Sequence, residues 1–252
     1  MIAFKPDVRI TDVNFIRADL IDVCFSTENT VSSTKTIFDA LYMLNGLFTI
    51  KQITSSYIGL CGIDAEKLLG DLTKWEIIHE ISNGSRYIQA KEKLRNKTVH
   101  FPLISNINVM IAVLLQKMRV KTVFYENKTI TQNDVIQNIY YNDNNIGKDI
   151  ISFLQNELKI DTVFHADTDF NIDLLNEDID IIVNSDSTDW INAENHIVIN
   201  TWNYHNSHFK DFKLFNGKIN VSDELKPLIE GYILATRSVD DILYSVIGNL
   251  VF

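Results

Sequence analysis

Proline and glycine are scarce, 3 and 9 in 252 residues, which excludes a collagen-like, low-complexity or linker-dominated chain. Cysteine is scarcer still. Cys24 and Cys61 alone cannot build a multi-disulfide frame or a four-thiolate zinc site. Long apolar runs are missing too, since stretches such as 108–115 and 179–183 fall short of the ~18–20 residues that span a bilayer. The first ten residues lack the charged segment followed by an apolar one that marks a signal peptide. Positive charge is also in deficit: 23 Lys+Arg stand against 33 Asp+Glu, a formal charge of -10. That balance argues against duplex nucleic acid as the main partner, because neutralising phosphates requires a net or segregated basic surface. The expectation is a soluble, cytoplasmic protein with no nucleic-acid or membrane partner. The apolar share of 46% and charged share of 22% are ordinary for globular chains. The length fits one large domain or two small ones.

The first 80 or so residues have their own rhythm. Residues 8–10 and 15–25 read as short strands, with Ile21, Val23 and Phe25 alternating against Leu20, Asp22 and Cys24. Residues 26–33 read as a polar break. Ile37, Leu41 and Leu44 then recur at helical spacing, with Phe38 and Met43 alongside, up to the terminator Asn45-Gly46. A second helix is predicted over 49–57, with Ile50 and Ile53 inward. A third runs over 64–75, capped by Asp64, with Leu68, Leu69 and Leu72 on its apolar face. Residues 76–81 alternate again as a closing strand. A small sheet with three helices is a winged-helix-like module.

Between 82 and 97 the composition shifts to Arg86, Lys91, Lys93, Arg95 and Lys97 around Glu92, either a basic binding patch or a solvated connecting helix. From 98 onward strands and helices alternate. Strands are expected over 99–104, 121–126, 161–164, 179–184 and 197–200, and helices over 108–118 and 146–158. That order predicts a mostly parallel α/β sheet. The tail, 222–249, reads as two helical pieces separated near Ser238, with Pro227 in the first turn. Domain limits of 1–82 and 83–252 follow.

Several kinds of site chemistry are thin. A nucleotide-binding α/β domain carries its Gly-rich turn after the first strand, where small residues let phosphate approach free N–H groups. Here the turn is Leu103-Ile104-Ser105-Asn106-Ile107-Asn108, without glycine. His205-x-x-His208 with Asp211, near His196, lacks the usual zinc spacings. Asp178, Asp180, Asp186 and Asp189 cluster at a strand end, where caps and turns explain acids as readily as Mg²⁺ does. Cys61, between glycines, shows no neighbouring base. No metal, cofactor or catalytic residue is assigned.

Residues 5–81, with Lys5-Pro6-Asp7-Val8-Arg9, Leu44-Asn45-Gly46, Thr49-Ile50-Lys51-Gln52-Ile53 and Asp64-Ala65-Glu66, resemble the leader-peptide recognition element of peptide natural-product pathways. The resemblance implies a three-stranded sheet on three helices. A precursor's leader would add a strand beside the third strand, in a groove closed by the third helix. The contacts expected on that basis are Leu20, Asp22 and Cys24 on the strand, and Lys67, Asp71, Lys74 and Trp75 on the helix.

The remainder resembles a degenerate E1-like (ThiF-like) adenylating domain, most clearly along the stretch from Lys121-Thr122-Val123-Phe124-Tyr125-Glu126 through Asp134, Gln137-Asn138 and Asn145-Ile146-Gly147-Lys148. By that resemblance Glu126 stands for the ribose-holding acid and Asp134 for a loop Asn. Gln137 falls at the catalytic Arg, Asn138 at the Gln, Lys148 near the phosphate Lys and Asp186 at the Mg²⁺ ligand. The Gly-rich loop, the Arg and the CxxC zinc motifs are absent, so the domain reads as a pseudoenzyme.

Together the halves resemble the leader-binding scaffold proteins of thiazole-forming thiopeptide (micrococcin-type) bacteriocin pathways. The resemblance implies a chain that is not an enzyme. It would present a cysteine-rich precursor core to a separate YcaO-type cyclodehydratase and then to a flavin-dependent dehydrogenase, as a monomer or a homodimer. Trp202, Tyr204 and Phe209, in a segment shared with His205, Phe212 and Phe215, are the expected docking anchors for those enzymes. Two other classes remain open. One is an ATP-dependent adenylating enzyme. The other is a winged-helix regulator, against which the acids of its third helix count.

Overall fold

The computed structural model describes residues 1–5, 7–8, 10–17, 20–33, 37–44, 48–57, 65–80, 92–165, 169–176, 180–184, 197–200, 220–221 and 226–247. The chain divides into two compact units: Met1–Ile88 with Ser207–Ile229, and Gln89–Asn206 with Glu230–Phe252. Among the described residues no helix is long and apolar enough to cross a membrane.

The first unit holds two small sheets. β2 (Ile10–Arg17), β3 (Leu20–Phe25) and β4 (Thr30–Ser33) form an antiparallel meander. Strand β11 (Asn220–Val221) joins it in parallel beside β2, giving the order β11-β2-β3-β4. β1 (Ile2–Phe4) pairs with β5 (Ile78–Glu80) as a separate antiparallel ribbon. The alternation of β3 is realised: Ile21, Val23 and Phe25 are buried, while Leu20, Asp22 and Cys24 are half-buried. The helices are α1 (Ile37–Tyr42), α2 (Ile50–Tyr57) and α3 (Ala65–Lys74). Leu68, Leu69 and Leu72 of α3 face the core as their spacing predicts. Ile50 does not: it is 47% exposed, because α2 turns Ile53 inward. The stretch 26–33 is not a mere break. It makes the hairpin turn, with Glu28 N–H donating to Phe25 O, and then the strand β4.

The second unit is built on five parallel strands: β6 (Thr98–Phe101), β7 (Lys121–Phe124), β8 (Thr162–Phe164), β9 (Asp180–Asn184) and β10 (Ile197–Asn200). Their order is β10-β9-β6-β7-β8, the doubly wound arrangement whose switch point lies between β6 and β9. α4 (Asn106–Lys117) starts at Ser105, whose hydroxyl accepts from Asn108 N–H. Its residues 108–115 are buried all round, which makes it the central helix of the unit. Phe101 and Phe124, from adjacent strands, stack at 4.7 Å in the core.

Two shorter helices follow, α5 (Gln132–Gln137) and α6 (Ile150–Asn156). α5 is missing from the sequence reading, although its capping box is visible as Thr131-x-x-Asp134. The tail is one helix, α7 (Lys226–Ile247), not two. Ser238 does not break it, because its buried hydroxyl bonds back to Leu234 O at 2.8 Å within the helix. Gly231 lets α7 approach closely: a Cβ there would lie 3.2 Å from Met110 Cε and 3.3 Å from Gln137 O.

Candidate functional site

In a parallel sheet of this order, ligands bind outside the carboxyl ends of the strands near the switch point. Two segments meet there, the turn after β6 and the residues after β7. Glu126 accepts the Ile104 N–H at 2.8 Å on one carboxylate oxygen and faces Lys128 Nζ at 3.0 Å on the other. Asn106 Nδ2 bridges to Asp134 at 2.8 Å and to Gln137 Oε1 at 3.2 Å. Asn138, fully buried, donates to Asn106 O at 3.3 Å and accepts from Tyr140 N–H. Asn108 Nδ2 donates to Leu103 O at 2.9 Å, while its backbone N–H goes to Ser105. Asp134 also accepts from the Thr131 backbone and hydroxyl as the cap of α5.

The residues aligned by resemblance with a nucleotide site are therefore brought together, all but two of them. Lys148 pairs instead with Glu157 at 2.6 Å, and Asp186 lies outside the described residues. The chemistry of the donor set is that of a self-sufficient polar cluster. The Ile104 and Asn108 N–H groups, which a phosphate would use, already have side-chain acceptors. The acid that would hold a ribose is already neutralised by Lys128. ATP does not fit this set as it stands, since its phosphates would have to displace the Ile104 N–H from the Glu126 carboxylate and the Asn108 N–H from the Ser105 hydroxyl. Asn106 organises the cluster and was not singled out from sequence, because its two partners lie about 30 residues downstream.

In the first unit the residues expected to touch a peptide fall on two elements. Leu20, Asp22 and Cys24 lie on β3, but β3 is flanked by β2 and β4 and has no open edge. A strand cannot be added beside it. In chain order the third strand of the meander is β4, and among the described residues no strand pairs with its outer edge. Strand addition beside Leu20, Asp22 and Cys24 is thus excluded by the pairing of β3 on both sides. Thr30 and Ser32 are exposed and Val31 is buried, so β4 offers an alternating edge without Pro or Lys to block pairing. Its inner side is tied to β3 by a Ser32 hydroxyl bond to the Asp22 carboxylate and by Thr30 Oγ1 donating to Cys24 Sγ at 3.4 Å. On α3, Lys67 and Lys74 are exposed and Asp71 is half-buried, with Trp75 half-buried just beyond the helix end.

Other expected sites cannot be located in the same way. Trp202, Tyr204, His205, His208, Phe209, Asp211, Phe212 and Phe215 lie outside the described residues, as do Cys61, Asp64, Asp178, Asp189 and His196. Among the described residues no three His, Cys, Asp or Glu side chains converge as metal ligands.

No protein-family model and no curated protein matches the chain. Solved structures give distant matches. E. coli MccB is 13% identical with a TM-score of 0.33, covering 76% of this chain and 61% of that one. The microcin C7 biosynthetic enzyme MccB in complex with N-formylated MccA is 14% identical with a TM-score of 0.31, covering 73% and 60%. A heterocyclase in complex with substrate and cofactor is 14% identical with a TM-score of 0.22, covering 53% and 21%. The chain thus spans about three fifths of the length of these MccB chains.

Proposed function

We propose that this protein is a non-catalytic scaffold that captures the leader of a ribosomally made precursor peptide. It then presents the precursor's cysteine-rich core to separate thiazole-forming enzymes, a YcaO-type cyclodehydratase and a flavin-dependent dehydrogenase. The observation that carries the reading is the outer edge of β4, unpaired among the described residues, in a meander followed by three helices. An extended peptide adds to such an edge through backbone bonds, and side chains alongside supply the selectivity. Lys67, Asp71, Lys74 and Trp75 serve as side-chain contacts in this reading. Val31 stays in the core, while Thr30 and Ser32 flank the added strand.

The crevice of the parallel sheet supports the non-catalytic part. An adenylating enzyme must cradle and neutralise a transferring phosphoryl group. Here the neutral Gln137 accepts from Asn106, and the cation Lys128 is committed to Glu126. Recruitment of the processing enzymes is assigned to the aromatic segment holding Trp202, Tyr204 and Phe209.

Hydrogen exchange of the full chain, with and without a candidate precursor peptide carrying a leader and a Cys/Ser/Thr-rich tail, tests the capture. The amides of Thr30–Ser33 gain protection if the leader pairs there. Binding that leaves those amides unchanged, or no binding below about a millimolar (~4 kcal/mol), rejects the assignment. Calorimetry with ATP and Mg²⁺ tests the second half, and saturable binding tighter than about a millimolar contradicts it.

A further inference from the structure

A second polar feature lies on one face of the parallel sheet and is used by none of the above. It runs as a row across four neighbouring strands. Asp180 opens β9, His100 lies in β6, Tyr125 follows β7 and His165 follows β8. His100 is buried, with Nδ1 2.9 Å from the Tyr125 hydroxyl and Nε2 3.0 Å from Asp180 Oδ1, close but bent away from the N–H axis. Asp180 is itself oriented, because its other oxygen accepts the Asn176 N–H at 2.7 Å. In the tautomer with its proton on Nε2, toward the Asp180 carboxylate, Nδ1 accepts the phenolic proton. Burial lowers the His100 pKa, with smaller contributions from His165 and Lys121, and outweighs the opposing pull of Asp180. The ring therefore rests neutral. Tyr125 is half-exposed, stacked on His165 at 5.3 Å and met edge-on by Phe170 at 5.2 Å. Burial raises its pKa, with Asp180 adding to the rise, so the phenol rests protonated.

A carboxylate that orients a neutral imidazole, which in turn accepts a hydroxyl proton, is the arrangement that activates a weak oxygen nucleophile. We propose that Asp180, His100 and Tyr125 form a covalent modification site, at which the Tyr125 phenol takes one acyl group from an acyl phosphate. In the step, Tyr125 Oη forms a bond to the carbonyl carbon, and the carbon–oxygen bond to phosphate breaks with its electron pair on the phosphate. The phenolic proton moves to His100 Nδ1, and the imidazolium is held by Asp180 until that proton passes to solvent. No oxidant or reductant is needed. The leaving group limits the donor. It must be a better one than a phenol of ordinary pKa ~10, a condition that phosphate meets and a simple alkyl ester does not. The site is independent of the leader-capture reading, and one acyl group per chain does not make the protein a turnover catalyst.

The test treats the full chain with acetyl phosphate and maps acetylation by mass spectrometry. The expected result is one acetyl on Tyr125, removed by hydroxylamine as an aryl ester is and a lysine amide is not. Tyr125→Phe abolishes it. Asp180→Asn and His100→Gln slow it by about 100-fold or more, with folding checked by circular dichroism. In the wild-type chain the rate falls in acid as His100 protonates, the facing groups being Asp180, Tyr125, His165 and Lys121. Acetylation of Tyr125 no faster than that of the half-exposed Tyr140, or a rate unchanged in a folded Asp180→Asn chain, overturns the proposal. The comparison of tyrosines and the pH profile need no variant, so they decide even if His100→Gln fails to fold.

Discussion

In the first unit, β4 presents an outer edge to which no described strand is paired, whereas in the second unit the turn after β6 has its key donors and acceptors taken by Glu126, Asn106, Asn108 and Asn138. A strand edge and the carboxyl end of a parallel sheet are both places where ligands meet sheets in general. The difference lies in which hydrogen bonds are already made. An exposed strand edge exchanges water for a partner at little cost. A crevice laced by charge-assisted bonds must first lose them. The proposed function rests on this contrast: an added peptide at the β4 edge, and no nucleotide at the turn after β6.

Four changes break or sharpen that contrast, taken from the largest effect down. Phe101→Ala removes a fully buried ring stacked on Phe124 and is expected to cost about 3–5 kcal/mol, read as a large loss in denaturant midpoint. If the parallel sheet survives it unchanged, its core has been misread. Glu126→Ala strips the Ile104 N–H of its acceptor and Lys128 of its counter-ion, for about 1–3 kcal/mol, without creating ATP binding. A gain of ATP affinity on calorimetry would mean that the crevice was blocked only by this acid. Trp75→Ala is expected to weaken leader binding about 10-fold, ~1.4 kcal/mol, with a small change in melting temperature. The reverse pattern would make Trp75 a core residue.

Asp241→Asn carries the smallest effect and a sign that depends on pH. Burial pushes the Asp241 carboxyl from 3.8 up to about 6. The folded chain therefore binds this proton more tightly than the unfolded chain. The contribution to stability is full below the unfolded value and is lost as pH rises toward about 6. The Asn variant should melt higher than wild type above that pH and lose its advantage in acid. Melting curves across the range check the direction.

Much of this architecture could be read from residue order, and the failures share a cause. The alternation Ile21-Val23-Phe25 and the spacing of Leu68, Leu69 and Leu72 report burial directly, and both hold. The parallel strands and α4 fall where short apolar runs alternate with a longer one. β4 looks like a break in the sequence because it offers one buried residue, Val31, between two exposed polar ones; pairing with β3 makes it a strand, not hydrophobicity. β1 has only three residues, and its partner β5 lies about 75 residues away. Ser238 looks like an interruption until its hydroxyl turns back onto Leu234 O. The row from Asp180 through His100 to Tyr125 has no local motif, since only the parallel register brings these positions together. The position of Glu126 after β7 was legible from resemblance, but its partner Ile104 N–H was not.

The parallel pairing of β11 with β2 has a consequence for synthesis on the ribosome. Val13 meets Val221, so the first unit is completed by residues made about 200 positions later. At ordinary elongation rates that interval lasts about 10–40 s. Throughout it the edge of β2 that β11 covers at Asp12 and Val13 stays open to pairing with another nascent chain. The meander can form early, but β11 arrives only after the whole parallel sheet has been translated. Expression at lower temperature or with a holdase should therefore raise the soluble yield of this chain. A truncation ending before residue 220 should aggregate through β2 rather than behave as a minimal peptide-binding fragment.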